Sequence, residues 1–297
     1  MKLVSFRSPA AFGAEPGRSD LLGIVEGQQI VAAGSLGRGV PGTMAELLQG
    51  WPDSLAILQA ALRADDRPDA VARADVELLA PVPRPGKIVA AGVNYRSHAA
   101  EGEREPPDHP VFFAKFSTSV VGDGADIRWS PQLTQAVDYE AELALVIGAT
   151  CRRVDEARAL GYVAGYTCLN DVSARDLQYS DRQFTRGKSL DTFGPMGPWL
   201  VTADEVADPQ SLPVRSFVNG ELRQDASTAE MIFSVAQLIS FASHAFTLEP
   251  GDVIATGTPA GVGWYREPKQ MLHDGDEVAV EIEGIGRLVN HCVEEPA

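Results

Sequence analysis

The chain has 297 residues, and its 25 Lys and Arg against 41 Asp and Glu give a formal charge of −16 at pH 7. A surface this acidic repels phosphate, which excludes nucleic acid as a partner. With 44 % hydrophobic and 22 % charged residues, the composition excludes disorder and fibrous repeats, and no apolar run approaches the roughly 18 residues that cross a bilayer.

Residues 2–34 read as short strands, KLVSF and then LLGIVEGQQIVAA with a hairpin turn at EGQQ. Residues 43–65 carry Leu47, Leu48, Leu55, Leu58 and Leu62 at near-helical spacing, and Pro52 divides them into two helices. APVPRPGK (80–87) holds three prolines and a glycine, so it is the expected linker between a small domain at 1–80 and a larger one at 84–297. Beyond it, IVAAGV (88–93) and YEAELALVIG (139–148) read as strands and VDEARALGYVAGY (154–166) as a helix. Ile232, Val235, Ile239 and Ala242 form one stripe of a helix expected within 229–246. DVIATG (252–257) and DEVAVEIEGIGRLVNHCV (276–293) then add a strand and a hairpin that turns at 283–286. The larger domain is thus strand-rich without regular βαβα alternation. MKLVSFRSPAAF lacks a sustained apolar stretch and does not read as a secretory leader. Cys151, Cys168 and Cys292, odd in number and without CxxC spacing, fit unpaired thiols in a reducing compartment, and a cytoplasmic location is expected.

Asp138, Glu140 and Glu142 recur at every second residue, which directs three carboxylates to one face of a strand. Like charges so placed repel unless a cation sits among them, and all-oxygen donors suit Mg²⁺, Mn²⁺ or Ca²⁺ better than zinc. A solvated polar face on an edge strand is the alternative. Asp171, in the turn LNDVSARD, offers a carboxylate from a second segment, or simply caps that turn. His98 and Glu101 stand three residues apart in NYRSHAAE, so on a helix the carboxylate reaches the imidazole and raises its basicity. A weak surface contact has the same spacing. GEREPPDHP (102–110), charged and proline-containing, suits either a lid or an ordinary loop. Lys188, among small and turn-forming residues, can face an anion or a developing oxyanion, whereas solvent is a lysine's usual surrounding. TGTPAGVG (256–263) follows a strand and offers Thr256, Thr258 and backbone N–H groups to an anion such as a carboxylate. It lacks the GK[ST] ending of a phosphate loop, and His109, His244, His273 and His291 share no metal-ligand spacing.

Six blocks in fixed order, GVNYRSHAAE, FFAKFSTSVVG, DYEAELALVIG, GYTCLNDVSARDLQ, RGKSLDTFGPMGPW and EPGDVIATGTPAGVG, resemble the fumarylacetoacetate hydrolase family over about residues 84–290. The resemblance implies a strand-rich α+β fold, a mixed β-sandwich roll preceded by a small N-terminal α+β domain, assembled as a homodimer. It implies one divalent cation per subunit, Mg²⁺ or Mn²⁺, held by Glu140, Glu142 and Asp171 with Asp138 in support. It implies catalytic roles for His98, Glu101 and Lys188, and substrate contacts for Tyr95, Lys115, Arg175, Gln178 and Thr258.

The resemblance further implies a small-molecule 2-oxoacid substrate, chelated to the cation through its carboxylate and 2-oxo oxygens. The expected reaction is hydrolysis of a C–C bond in a 2,4-dioxoacid of acylpyruvate type, in which His98 activates the water. Two alternatives share its enolate: oxaloacetate decarboxylation, and isomerisation or decarboxylation of a 2-hydroxyhepta-2,4-diene-1,7-dioate. A metal-stabilised structural dimer and a 2-oxoacid sensor are the non-enzyme readings, and neither requires the His98 and Glu101 pair.

Overall fold

The computed structural model describes residues 1–7, 20–64 and 69–296. Residues 8–12 of the leader reading, and residue 65 at the end of the expected helical stretch, lie outside them. The chain opens with β1 (Lys2–Arg7) and the expected hairpin of β2 (Leu21–Glu26) and β3 (Gln29–Ala32). Helices α1 (Met44–Gln49) and α2 (Asp53–Ala64) flank Pro52, and the Thr43 hydroxyl caps α1 by accepting the Glu46 N–H. Two short strands, β4 (Ala70–Ala72) and β5 (Glu77–Leu79), lead into β6 (Ile88–Gly92). The six-residue helix α3 (Arg96–Glu101) comes next, before strands β7 (Val111–Lys115), β8 (Val120–Val121), β9 (Asp126–Trp129) and β10 (Val137–Asp138).

Strand β11 (Ala141–Ile147) is buried along its whole length. The helix expected at 154–166 is only α4 (Glu156–Ala159); from Val163 the chain is extended as β12 (Val163–Asn170). A fully buried strand mimics helical periodicity because it is apolar on both faces. Gly165 belongs to that strand, since a Cβ there would meet the Val201 carbonyl oxygen at 2.3 Å. There follow β13 (Ser173–Ala174), helices α5 (Arg175–Asp181) and α6 (Phe184–Lys188), then β14 (Gly194–Thr202), β15 (Pro213–Val218) and β16 (Glu221–Ser227). Helix α7 (Val235–Ala245) starts later than the apolar stripe suggested, because Ser234 and Gln237 form a capping box. Ile232 therefore precedes the helix, and its N–H goes to the Asn94 carbonyl. The chain closes with β17 (Val253–Ala255) and the expected hairpin of β18 (Glu277–Ile282) and β19 (Gly286–Glu294).

The architecture is strand-rich α+β with mixed sheets. A twelve-stranded sheet runs β4-β3-β2-β1-β14-β12-β11-β17-β6-β7, with β5 and β8 as side branches, and a five-stranded sheet runs β16-β15-β18-β19-β9. Leu143, Leu145 and Ile147 of β11 pack with α7 and with Val214, Val280 and Ile282 of the smaller sheet, which makes the sandwich. The alternate residues Ala144 and Val146 pack on the other side with Leu47, Leu48 and Leu58 of α1 and α2. Strand β1 pairs with β14 (Lys2↔Val201), so the first 80 residues share a sheet with the rest, and Pro81, Val82 and Pro85 of the expected linker are buried. Among the described residues no helix is long and apolar enough to cross a membrane.

Candidate active site

The site lies where β11 begins and β12 ends. Their antiparallel register sets Ala141 opposite Asn170 and Glu142 opposite Leu169, so the chain just before β11 meets the turn just after β12. The Asp171 N–H donates to the Glu140 carbonyl at 2.9 Å, and the Asn170 side chain accepts the Glu140 N–H at 3.0 Å. Glu140, Glu142 and Asp171, all buried, thereby bring carboxylate oxygens within 4.8 Å of one another. Burial excludes the solvated edge-strand alternative for Asp138, Glu140 and Glu142.

Three cations face this cluster. Lys188 Nζ, at the end of α6, donates to Glu140 Oε2 at 2.6 Å and to Asp171 Oδ2 at 2.7 Å. Arg175 Nη1 lies 2.7 Å from Glu140 Oε1, while its Nε donates to Asp138 Oδ2 at 2.8 Å. Lys115 Nζ sits 2.7 Å from Asp171 Oδ1 and donates to the carbonyls of Lys188 and Phe193. Burial alone raises a carboxyl, but Lys188 and Arg175 outweigh it at Glu140 and hold that group at about 2. Burial depresses the Lys188 ammonium, and Asp171 with Glu140 more than restores it, leaving it above its ordinary value. The Lys115 ammonium stays lowered, because burial there exceeds the pull of Asp171.

A divalent cation fits this donor set. Counting Asp138, four carboxylates meet three cationic side chains, so 4 − 3 leaves one negative charge. Among the described residues Glu142 is the one without a cation, and its Oε2 accepts only the Gly257 N–H at 2.8 Å. Burial, then Asp171 and Glu140, push its carboxyl well above the ordinary range. Buried oxygens left in this condition, all of hard type, are ligands for Mg²⁺ or Mn²⁺.

A pH dependence follows. A carboxyl raised by folding binds a proton that the unfolded chain has released above about 4.3. Its contribution to stability is therefore present below that value and lost as pH rises through the raised one. A cation needs the carboxylate form and so opposes the loss. The increase in melting temperature on adding Mn²⁺ is expected to grow from mildly acidic to mildly basic pH; a shift independent of pH, read by differential scanning fluorimetry, would contradict this account of Glu142.

The 256–263 loop offers its N–H groups to carboxylates, and these are the protein's own: Gly257 to Glu142, Gly261 to Glu101 Oε2 at 2.8 Å, and Gly263 to Asp138 at 2.7 Å. All three positions require glycine: Gly257 has φ +93 with Asn94 Cβ 2.7 Å from a would-be Cβ, Gly261 has φ +108 with the Arg223 carbonyl at 2.3 Å, and a Cβ at Gly263 would stand 2.0 Å from the Gln270 carbonyl oxygen. Asp138 leaves the period-two row because the strand breaks after it; it binds the loop and Arg175. Glu101 in turn holds His98, with Oε1 2.7 Å from Nδ1. That contact fixes one ring nitrogen and leaves Nε2 for the cavity.

The cavity itself is small, about 30 Å³, and is lined by His98, Glu140, Arg175, Gln178, Lys188 and Thr258 from the expected set. Tyr95 is fully buried beneath α3 with no hydrogen bond to its hydroxyl, and Lys115 is buried behind Lys188, so neither lines the cavity. The Thr258 hydroxyl is engaged, donating to the Ala141 carbonyl and accepting from Gln224. The motifs did not indicate Arg104, Tyr179 and Tyr265, which line the outer part, or Phe113 and Phe184, whose rings meet edge to face at 5.4 Å. Val93, another lining residue, has φ +53, a strained value for a β-branched side chain that the surrounding site imposes.

Comparison with known proteins agrees with this geometry. The model of the fumarylacetoacetate (FAA) hydrolase C-terminal domain matches residues 87–293. A human protein named oxaloacetate tautomerase FAHD2A, mitochondrial, is 41 % identical over 295 residues, 99 % of this chain and 92 % of that one. Among solved structures, the 2-hydroxyhepta-2,4-diene-1,7-dioate isomerase from Mycobacterium marinum is 35 % identical with a TM-score of 0.76, and both chains are covered completely. The maleylpyruvate hydrolase from Sphingobium sp. SYK-6, in complex with manganese (II) ion and pyruvate, is 32 % identical with a TM-score of 0.80, again over both full chains. With its buried acidic triad, strand-rich fold and matching sequence, the chain belongs to the fumarylacetoacetate hydrolase family.

Proposed function

We propose that the protein is a Mg²⁺- or Mn²⁺-dependent enzyme that interconverts the keto and enol forms of oxaloacetate. This places the oxaloacetate chemistry, first only an alternative, ahead of acylpyruvate hydrolysis. The observation that carries it is the 41 % identity, along 99 % of the chain, to proteins named oxaloacetate tautomerase.

Glu140, Glu142 and Asp171 would hold the divalent cation, which would supply Lewis acidity for enolisation of a 2-oxoacid. His98 Nε2 takes a proton from C3, the C–H electron pair becomes the C2=C3 bond, and charge passes to the 2-oxo oxygen. Protonation of that oxygen gives the enol; the reverse steps restore the ketone, and nothing is consumed. Lys188 contributes charge rather than a proton, because its ammonium is held above its ordinary value by two carboxylates. Glu101 keeps the imidazole in one tautomer.

Hydrolysis is a second reading, favoured by the similarity to a maleylpyruvate hydrolase. Purified protein with Mn²⁺, given enol oxaloacetate and acetylpyruvate in parallel, separates the two. Faster loss of enol absorbance without pyruvate supports tautomerisation, whereas cleavage of acetylpyruvate with little effect on oxaloacetate overturns it. The homodimer and the cytoplasmic location remain part of this proposal, and light scattering at about twice the chain mass is the check on the dimer.

A further inference from the structure

We infer that Arg104 selects a dicarboxylic substrate by receiving its distal carboxylate; this rests on, and sharpens, the proposed oxaloacetate reading. Of the cations lining the cavity, Arg175 and Lys188 are committed to Asp138, Glu140 and Asp171. The third, Arg104, has no ion pair or side-chain hydrogen bond among the described residues, although Glu103 and Glu105 flank it in sequence. It stands at the outer part of the cavity with Tyr179 and Tyr265, whose hydroxyls are 2.8 Å apart, and its charge reaches the Tyr265 hydroxyl. The inner end, beside Glu140 and Lys188, suits the carboxylate and 2-oxo group. A second negative charge on the substrate needs a cation at the other end, and Arg104 is the one available.

The backbone ties this arginine to the helix that carries His98. Helix α3 ends in a Schellman motif: Arg104 N–H donates to the Ala99 carbonyl at 2.9 Å, and Glu103 N–H to that of Ala100 at 3.1 Å. Glu103 takes the left-handed conformation this motif needs, with φ +51, although it is not glycine. The turn thus places His98 and Arg104 on one short segment, with both side chains on the cavity lining.

The test uses the Mn²⁺-loaded protein and its Arg104→Ala and Arg104→Lys variants. Oxaloacetate is titrated alongside oxalate, a two-carbon dianion that fills only the inner end. Loss of one charged hydrogen-bond partner predicts that Arg104→Ala weakens oxaloacetate binding, and raises its KM, roughly 10–100-fold. Oxalate affinity is expected to stay within about threefold, and oxaloacetate binding to recover in part in Arg104→Lys. Unchanged oxaloacetate affinity overturns the inference, and so does an equal loss of oxalate and oxaloacetate. Arg104-dependent binding without enol interconversion would sink the proposed reaction and leave this assignment standing; interconversion indifferent to Arg104 would do the reverse.

Discussion

Replacing His98 by Ala is expected to slow enol interconversion by about 10²–10⁴, the usual worth of a positioned general base. The side chain is 12 % exposed and sits on a six-residue surface helix, so its removal leaves no large cavity in the core. It is not among the three clustered carboxylates, so Mn²⁺ affinity should not fall with activity. The imidazole is held through a chain of contacts: Gly261 N–H to Glu101 Oε2, then Glu101 Oε1 to His98 Nδ1. Glu101→Gln keeps the size of the side chain but weakens the imidazole as a base, so it should give a smaller loss in the same direction. A His98→Ala variant that binds metal and retains the wild-type rate would remove His98 from the mechanism.

The second large effect concerns stability. Asp138→Ala is expected to cost about 3–5 kcal/mol, because it strands Arg175 as a buried charge with one of its two acid partners gone. Asp138 is fully buried. It accepts hydrogen bonds from Arg175 Nε, Gly263 N–H and Trp264 N–H at 2.7–3.0 Å, so it joins α5 to the loop beyond residue 256. A drop in melting temperature on the order of 10 °C follows from that cost. Calorimetry in the presence of chelator reads it apart from any change in metal binding. A variant that melts with the wild type would mean that water or a shifted Arg175 replaces the carboxylate at little cost.

Asp171 was joined to Glu140 and Glu142 only through the family resemblance, since spacing alone grouped those two with Asp138; that Glu140 and Glu142 share a face was legible because their two-residue spacing is local. The His98 and Glu101 pair was legible for the same reason, as an i, i+3 contact on one helical turn. What sequence spacing could not carry is convergence from distant segments. Tyr179 and Tyr265 meet across 86 residues, and Arg104 reaches them only through the left-handed turn at Glu103. The 256–263 loop is a further case: its small residues do form an anion cradle, and the anions are Glu142, Glu101 and Asp138. In the fold, the helical reading of 154–166 ran into the start of Val163–Asn170, because a strand buried on both faces has no polar side to reveal its period of two, whereas GYTCLN (165–170) does read as strand-like.

The central claim is that a cation at the Glu140, Glu142 and Asp171 site drives enolisation of oxaloacetate. Following enol absorbance with chelated protein, then after Mn²⁺ is restored, tests it most directly. The predicted result is a decay above the metal-only background that appears with Mn²⁺, disappears with chelator and releases no pyruvate. A decay equal to that background, or one accompanied by stoichiometric pyruvate, would contradict it.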